Sequence, residues 1–211
     1  MPNIDAPKGL VPVRKLDGSP WNGLVQKFFV STGDATAIYV GDLVKLTGSS
    51  GGAGATIAGE NLEGVPIVAR VTASGDAVSA WAGVVTGFKV NPDNLMQKHR
   101  AASTNRIVYV NTDPDTVYEV QEDATTTPIV AASVGLNANL AYTAGNDTTG
   151  ISKIELDSDS VATTAALCVK ILGLVKKVDN AFNTAGADTD NAKFEVLINR
   201  ALSTDTAQIG T

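Results

Sequence analysis

Turn-forming residues interrupt this chain roughly every 8 to 15 positions, and that spacing leaves room only for short strands. Between the turns lie apolar, β-branched runs at residues 24–30, 37–46, 65–71, 81–90, 106–111, 117–121, 140–143, 151–156, 165–178 and 194–199. The second run is broken by Gly41-Asp42, a tight-turn pair. Several runs alternate: Leu167, Val169 and Ile171 fall on one face of a strand and Lys170 on the other. Residues 106–111 and 117–121 flank Thr112-Asp113-Pro114-Asp115-Thr116, which reads as a hairpin with a five-residue loop. Residues 47–64 are rich in Gly, Ala and Ser and read as a flexible loop.

Helix is scarce. A short one is expected over 91–96, with Asn91 capping and Pro92 at the first helical position. Residues 161–170 also suit a helix, but Val169, Ile171 and Val175 are β-branched and Gly173 interrupts, so strand is expected there. The fold class is all-β. No tandem repeat of fixed period is visible.

The first 27 residues differ in kind. Pro2, Pro7, Pro12 and Pro20 recur among Gly9, Gly18 and Gly23, so neither a helix nor a central strand can run through them. They read as an extended N-terminal arm, followed by one β-rich domain over 28–211.

Composition narrows the functional classes. A net charge of −6, from 16 basic against 22 acidic residues, gives no surplus for tracking phosphates, so no nucleic-acid partner is expected. The short basic spots at Lys98–Arg100 with Arg106, and at Lys176-Lys177, read as solvated faces. The single cysteine, Cys168, cannot close an internal disulfide and sits among Leu167 and Val169 as a small hydrophobe. No signal peptide is visible, and no apolar run reaches the ~20 residues that span a bilayer, so no membrane association is expected.

No catalytic constellation emerges. His99 is the only histidine, no Gly-x-Ser-x-Gly elbow occurs, and nothing in the sequence ties a nucleophile to that ring. One Cys and one His cannot build a zinc site. Asp157-Ser158-Asp159 starts like a calcium loop but lacks its central Gly and distal Glu. The Gly48–Gly59 stretch has no phosphate-binding ending. Neither enzyme activity nor a cofactor or metal is expected. Trp21 and Trp81 read as core or interface anchors, with sugar platforms as the alternative.

An ordered series of segments resembles capsid cement (decoration) and minor head proteins of tailed bacteriophages. It runs from residues 3–10 with Pro12 and Arg14, through Val40-Gly41-Asp42-Leu43-Val44 and residues 83–88, to residues 100–104 with Arg106. It continues with Asp113-Pro114-Asp115 and 118–123, then 155–157, 171–175 and 194–199. The likeness skips the Gly-rich stretch near 48–59 and residues 181–191. It implies a jelly-roll or β-tulip-like sandwich or barrel that binds the outside of the assembled major capsid protein shell and stabilises it. It also implies synthesis in the host bacterial cytoplasm, residence on the virion's outer surface, and a homo-oligomer, dimer or trimer, at a symmetry axis. Asn3, Ile4, Leu10, Arg14, Trp21 and Arg100 are the expected contacts with the shell. A tail or neck component, or a carbohydrate-binding module, is the alternative.

Overall fold

A computed structural model describes residues 3–57, 59–73, 81–123, 125, 127–182 and 191–199. The strands are β1 (Val11–Lys15), β2 (Gln26–Val30), β3 (Leu43–Ser50), β4 (Thr56–Ile57), β5 (Glu60–Asn61), β6 (Pro66–Arg70), β7 (Trp81–Phe88), β8 (Arg106–Asn111), β9 (Thr116–Gln121), β10 (Asn137–Ala141), β11 (Glu155–Ala162), β12 (Val169–Leu174) and β13 (Lys193–Ile198). The described helix is a single 3-10 turn, Ala131–Ser133. The all-β expectation holds.

Strands β2, β6, β3, β7 and β8 close into a five-stranded barrel in that order. Its interior is filled by Phe28, Val30, Ile38, Val44, Val68, Ala82, Val85, Val108 and Val110. Strand β8 shows why the run 106–111 carries almost no polar alternation. Val108 and Val110 point inward, while Ile107 and Tyr109 on the outer face pack with Phe29, Leu62 and Ile57 under the β4–β5 hairpin.

The other sheet has the order β1-β9-β13-β12-β10-β11. It curls until Glu122, just beyond β9, forms a parallel bridge with Leu156 of β11, and Asp123 N–H donates to the Leu156 carbonyl at 3.0 Å. Strands β9–β13 thereby repeat the wiring of the first barrel. In each set of five, taken in chain order, the first strand lies parallel to the third and antiparallel to the fifth. The second pairs with the third and fourth, and the fourth with the fifth. The register repeats too. Val85 faces Val110 and Gly87 faces Tyr109 across a bulge; Ile171 faces Val196 and Gly173 faces Glu195 across the same bulge. Corresponding strands begin roughly 90 residues apart, so two similarly wired units stand in tandem.

Four expectations are corrected. The 112–116 hairpin does not form, because β8 belongs to the first barrel and β9 to the second sheet. That loop is the connection between the two units. Residues 91–96 form turns, in which the Asn91 and Asn94 side chains accept from the Asp93 and Met96 amides, so the helix is displaced by Asx turns. Within 47–64, β3 continues to Ser50 and β4 and β5 pair, so part of the Gly-rich stretch is sheet rather than loop. Residues 163–168 turn between β11 and β12 rather than continuing a strand.

The arm is bound to its own domain. Pro12 sits in β1, which pairs with β9 at the margin of the second sheet, where a missing N–H is tolerated. Its outer side is partly covered by a fold-back, with Lys15 N–H on the Ser19 carbonyl at 2.8 Å. Leu10 is 1% exposed and joins the second core with Tyr118, Leu140, Ile154 and Phe194.

Candidate functional site

The two units meet at Asp42, in the Gly41-Asp42 turn before β3. Gly41 has φ +93°, and a Cβ there would lie 2.5 Å from the Lys8 carbonyl, so only glycine fits. The turn drives the fully buried Asp42 carboxylate into the junction. There it accepts from Ser152 Oγ at 2.5 Å and Tyr39 N–H at 2.8 Å, and pairs with Arg70 Nε at 3.0 Å. Arg70 in turn donates to the Thr143 carbonyl at 2.5 Å. Val40 exchanges main-chain bonds with Gly150 and Ser152, and Leu43, Val71 and Val84 of the first unit enter the second core. One apolar core, with the Asp42–Ser152 and Arg70–Thr143 bonds extended from an ion pair of the first unit, therefore locks the units together.

His99 lies beside this junction. Its ring stacks on Tyr39 at 5.0 Å, and Nε2 sits 3.3 Å from Asp147 Oδ1, which also accepts from the Tyr39 hydroxyl at 2.6 Å. Burial, then the Asp147 bond, pushes the Tyr39 hydroxyl up to about 12. The trio clamps the 143–150 loop of the second unit onto the first.

The six expected contact residues divide. Arg100 is fully buried, and its guanidinium donates to the carbonyls of Ser31, Asp34, Thr36 and Thr104. It holds the loops at one end of the first barrel and presents nothing outward; the same applies to Leu10 in the core. Arg14 is half-exposed and paired with Glu195 at 2.6 Å. Asn3 is buried and exchanges two side-chain bonds with the main chain of Ala181. Trp21 is half-buried and lines a hollow of about 170 Å³ with Leu10, Pro12, Val40 and Val85. Ile4 alone is strongly exposed, at 62%. The Trp81 side chain lies outside the described residues. Among the described residues no cluster of acidic, His or Cys side chains is arranged to hold a metal. Asp157 and Asp159 lie on one face of β11, with Ser158 turned inward between them.

Two features escaped the sequence reading. A hollow of about 590 Å³ opens beside the 89–97 loop, lined by Lys89, Asn91, Asn94, Gln97, Asn105 and Arg106 among others. The neighbouring Val90, Leu95 and Met96 are 66%, 76% and 81% exposed. Arg106 is spent on structure, donating to the carbonyls of Lys89, Gln97 and His99. Secondly, Gln121 gathers groups remote in sequence. Its Oε1 accepts from Ala6 N–H at 2.9 Å, and its Nε2 donates to Asp5 Oδ1 at 3.0 Å and to Glu155 Oε1 and Asn191 Oδ1 at 3.2 Å. The separation between these residues, over a hundred positions from Asp5 to Gln121, leaves no local motif to read.

No family model matches the chain, and neither the curated proteins nor the solved structures contain a match to it.

Proposed function

We propose that this chain is a structural virion protein that binds the outer surface of an assembled phage capsid shell and reinforces it. The carrying observation is the arm. It is anchored through Asn3, Leu10 and β1, yet it turns Ile4, Leu16 and Leu24 outward at 62%, 50% and 63% exposure. Apolar side chains on an anchored, extended segment suit docking to a neighbouring protein. The resemblance to decoration proteins supplies the partner: the major capsid protein. Many symmetry-related copies allow weak individual contacts to add up, and binding only the assembled lattice stabilises it by linkage. An oligomer at a two-fold or three-fold axis of the shell fits the same reading.

The test is the copy number of the chain in purified virions, by quantitative mass spectrometry against the major capsid protein. Hundreds of copies per particle support decoration. A dozen or fewer would move the chain to the neck or tail, and absence would end the virion reading.

A further inference from the structure

Two carboxylates far apart in the sequence share one amide. Asp5, on the arm, and Glu155, at the start of β11, both accept from Gln121 Nε2, and Asn191 takes a third place on the same nitrogen. An NH2 group has two protons, so three acceptors cannot all be fully served. The surroundings carry both signs. Asp123 follows β9, Asp157 and Asp159 continue β11, and Lys153 lies next to Glu155, while Lys8 of the arm and Lys193 of β13, paired with Gln121, line the hollow beside Ala6. Among the bonds that hold the arm here are the Asn3–Ala181 pair, the Ala6 amide on Gln121 Oε1 and Gln121 Nε2 on Asp5. Further along, Leu10 is fixed by its burial and by its amide on the Gly41 carbonyl at 3.0 Å.

We propose that residues 3–6 form a pH-gated strap, docked while Glu155 carries a proton and released once Glu155 loses it. Protonation removes one of two adjacent negative charges and makes Glu155 a donor, relieving the shortage at Gln121. Burial first, and then the Asp5 and Asp123 charges, push the Glu155 carboxyl up to about 7. The docked arm brings the Asp5 charge to Glu155 and so adds to this rise, and the docked form binds the proton more tightly. Docking is therefore favoured at low pH and weakens as pH rises through about 7. Release would free Asn3 and Ile4 while the arm stays tethered at Leu10. This inference concerns the isolated chain and does not depend on the shell.

The test is amide hydrogen exchange of the full chain between pH 5.5 and 8.5, corrected for intrinsic rates. Ala6 reports the strap and Leu10 serves as the fixed control. Ala6 protection should fall severalfold across the range while Leu10 holds. In Glu155→Gln the fall should disappear, with Ala6 protected throughout. Asp5→Asn, which lies outside the core, should weaken the fall and serves if the first variant folds poorly. Ala6 protection that is flat in the wild type, or a fall undiminished in both variants, would overturn the strap.

Discussion

The Asp42 carboxylate and the Arg70 guanidinium, both buried, face each other at 3.0 Å where the barrel meets the second unit. Removing one member of such a pair strands the other charge without water. Asp42→Ala should therefore cost about 3–5 kcal/mol, measured by urea unfolding. The double variant Asp42→Ala with Arg70→Met should recover part of that loss, since no unpaired charge remains. A double variant no more stable than Asp42→Ala would show that the lost Ser152 and Tyr39 bonds, rather than a stranded charge, account for the loss.

Two glycines in β7 should respond in opposite ways. Gly83 has φ +142°, and a Cβ there would fall 1.9 Å from the Asn111 carbonyl oxygen of β8. Gly83→Ala should cost at least about 2 kcal/mol, because the strained backbone and the main-chain clash cannot both relax. Gly87 stands at the bulge with no atom of the described residues within 4 Å of its missing Cβ, as does its counterpart Gly173 in the second unit. Gly87→Ala and Gly173→Ala should each stay within about 1 kcal/mol of wild type in the same assay.

Gly87 and Gly173 also mark the limit of what the sequence reveals. Val85-Thr86-Gly87-Phe88 and Ile171-Leu172-Gly173-Leu174 place apolar, bulged, glycine and apolar residues in one order, and both pair onto the last strand of their unit in one register. Read linearly, this is a four-residue likeness between two strands. It becomes a repeat only when the parallel closures Phe29–Ile67 and Glu122–Leu156 are seen. Strand positions were legible because Val, Ile and Phe recur between turn residues. Pairing was not: Thr112–Thr116 looks like a hairpin loop whether its flanking strands pair or part. Buried polar groups were hidden for a related reason. Arg100 reads as a surface cation beside Lys98 and His99 because its four carbonyl partners come from loops folded over it.

Arg100 supports a direct test of that structural role. Arg100→Ala leaves four carbonyls without their donor and should cost at least about 3 kcal/mol in chemical denaturation. Arg100→Lys should rescue little. A compact ammonium cannot reach all four oxygens, and burial, which already pulls the Arg100 value down, favours the neutral amine in lysine. Full rescue by lysine would mean that charge alone matters at this site.

The pH dependence of stability should carry the mark of Glu155. Its folded value, about 7, stands above the ordinary carboxyl value of 4.5, so the folded state holds a proton that the unfolded chain has lost. The resulting stabilisation is fully present below about 4.5 and is lost as pH rises through about 7. Glu155→Gln should therefore gain on wild type as pH climbs from 5 to 8, with thermal midpoints converging at the acid end. Curves that stay parallel across this range would assign no folded-state displacement to Glu155.

Shell binding should be tested by point changes rather than by truncation. Deleting residues 1–20 would remove Leu10 from the second core and β1 from β9, so lost binding would only report lost structure. Ile4→Asp, Leu16→Asp and Leu24→Asp act on side chains that are at least half exposed, where substitutions shift stability by about 0.5 kcal/mol or less. If the outward arm is the docking surface, the triple variant should unfold at the wild-type midpoint yet fail to co-sediment with assembled shells. A charge placed in an apolar contact removes that contact's contribution and adds the cost of burying an unpaired ion, and many symmetry-related copies multiply the loss. A triple variant that still saturates the shell would move the contact elsewhere, and the exposed Val90, Leu95 and Met96 beside the 89–97 hollow would be the next surface to charge.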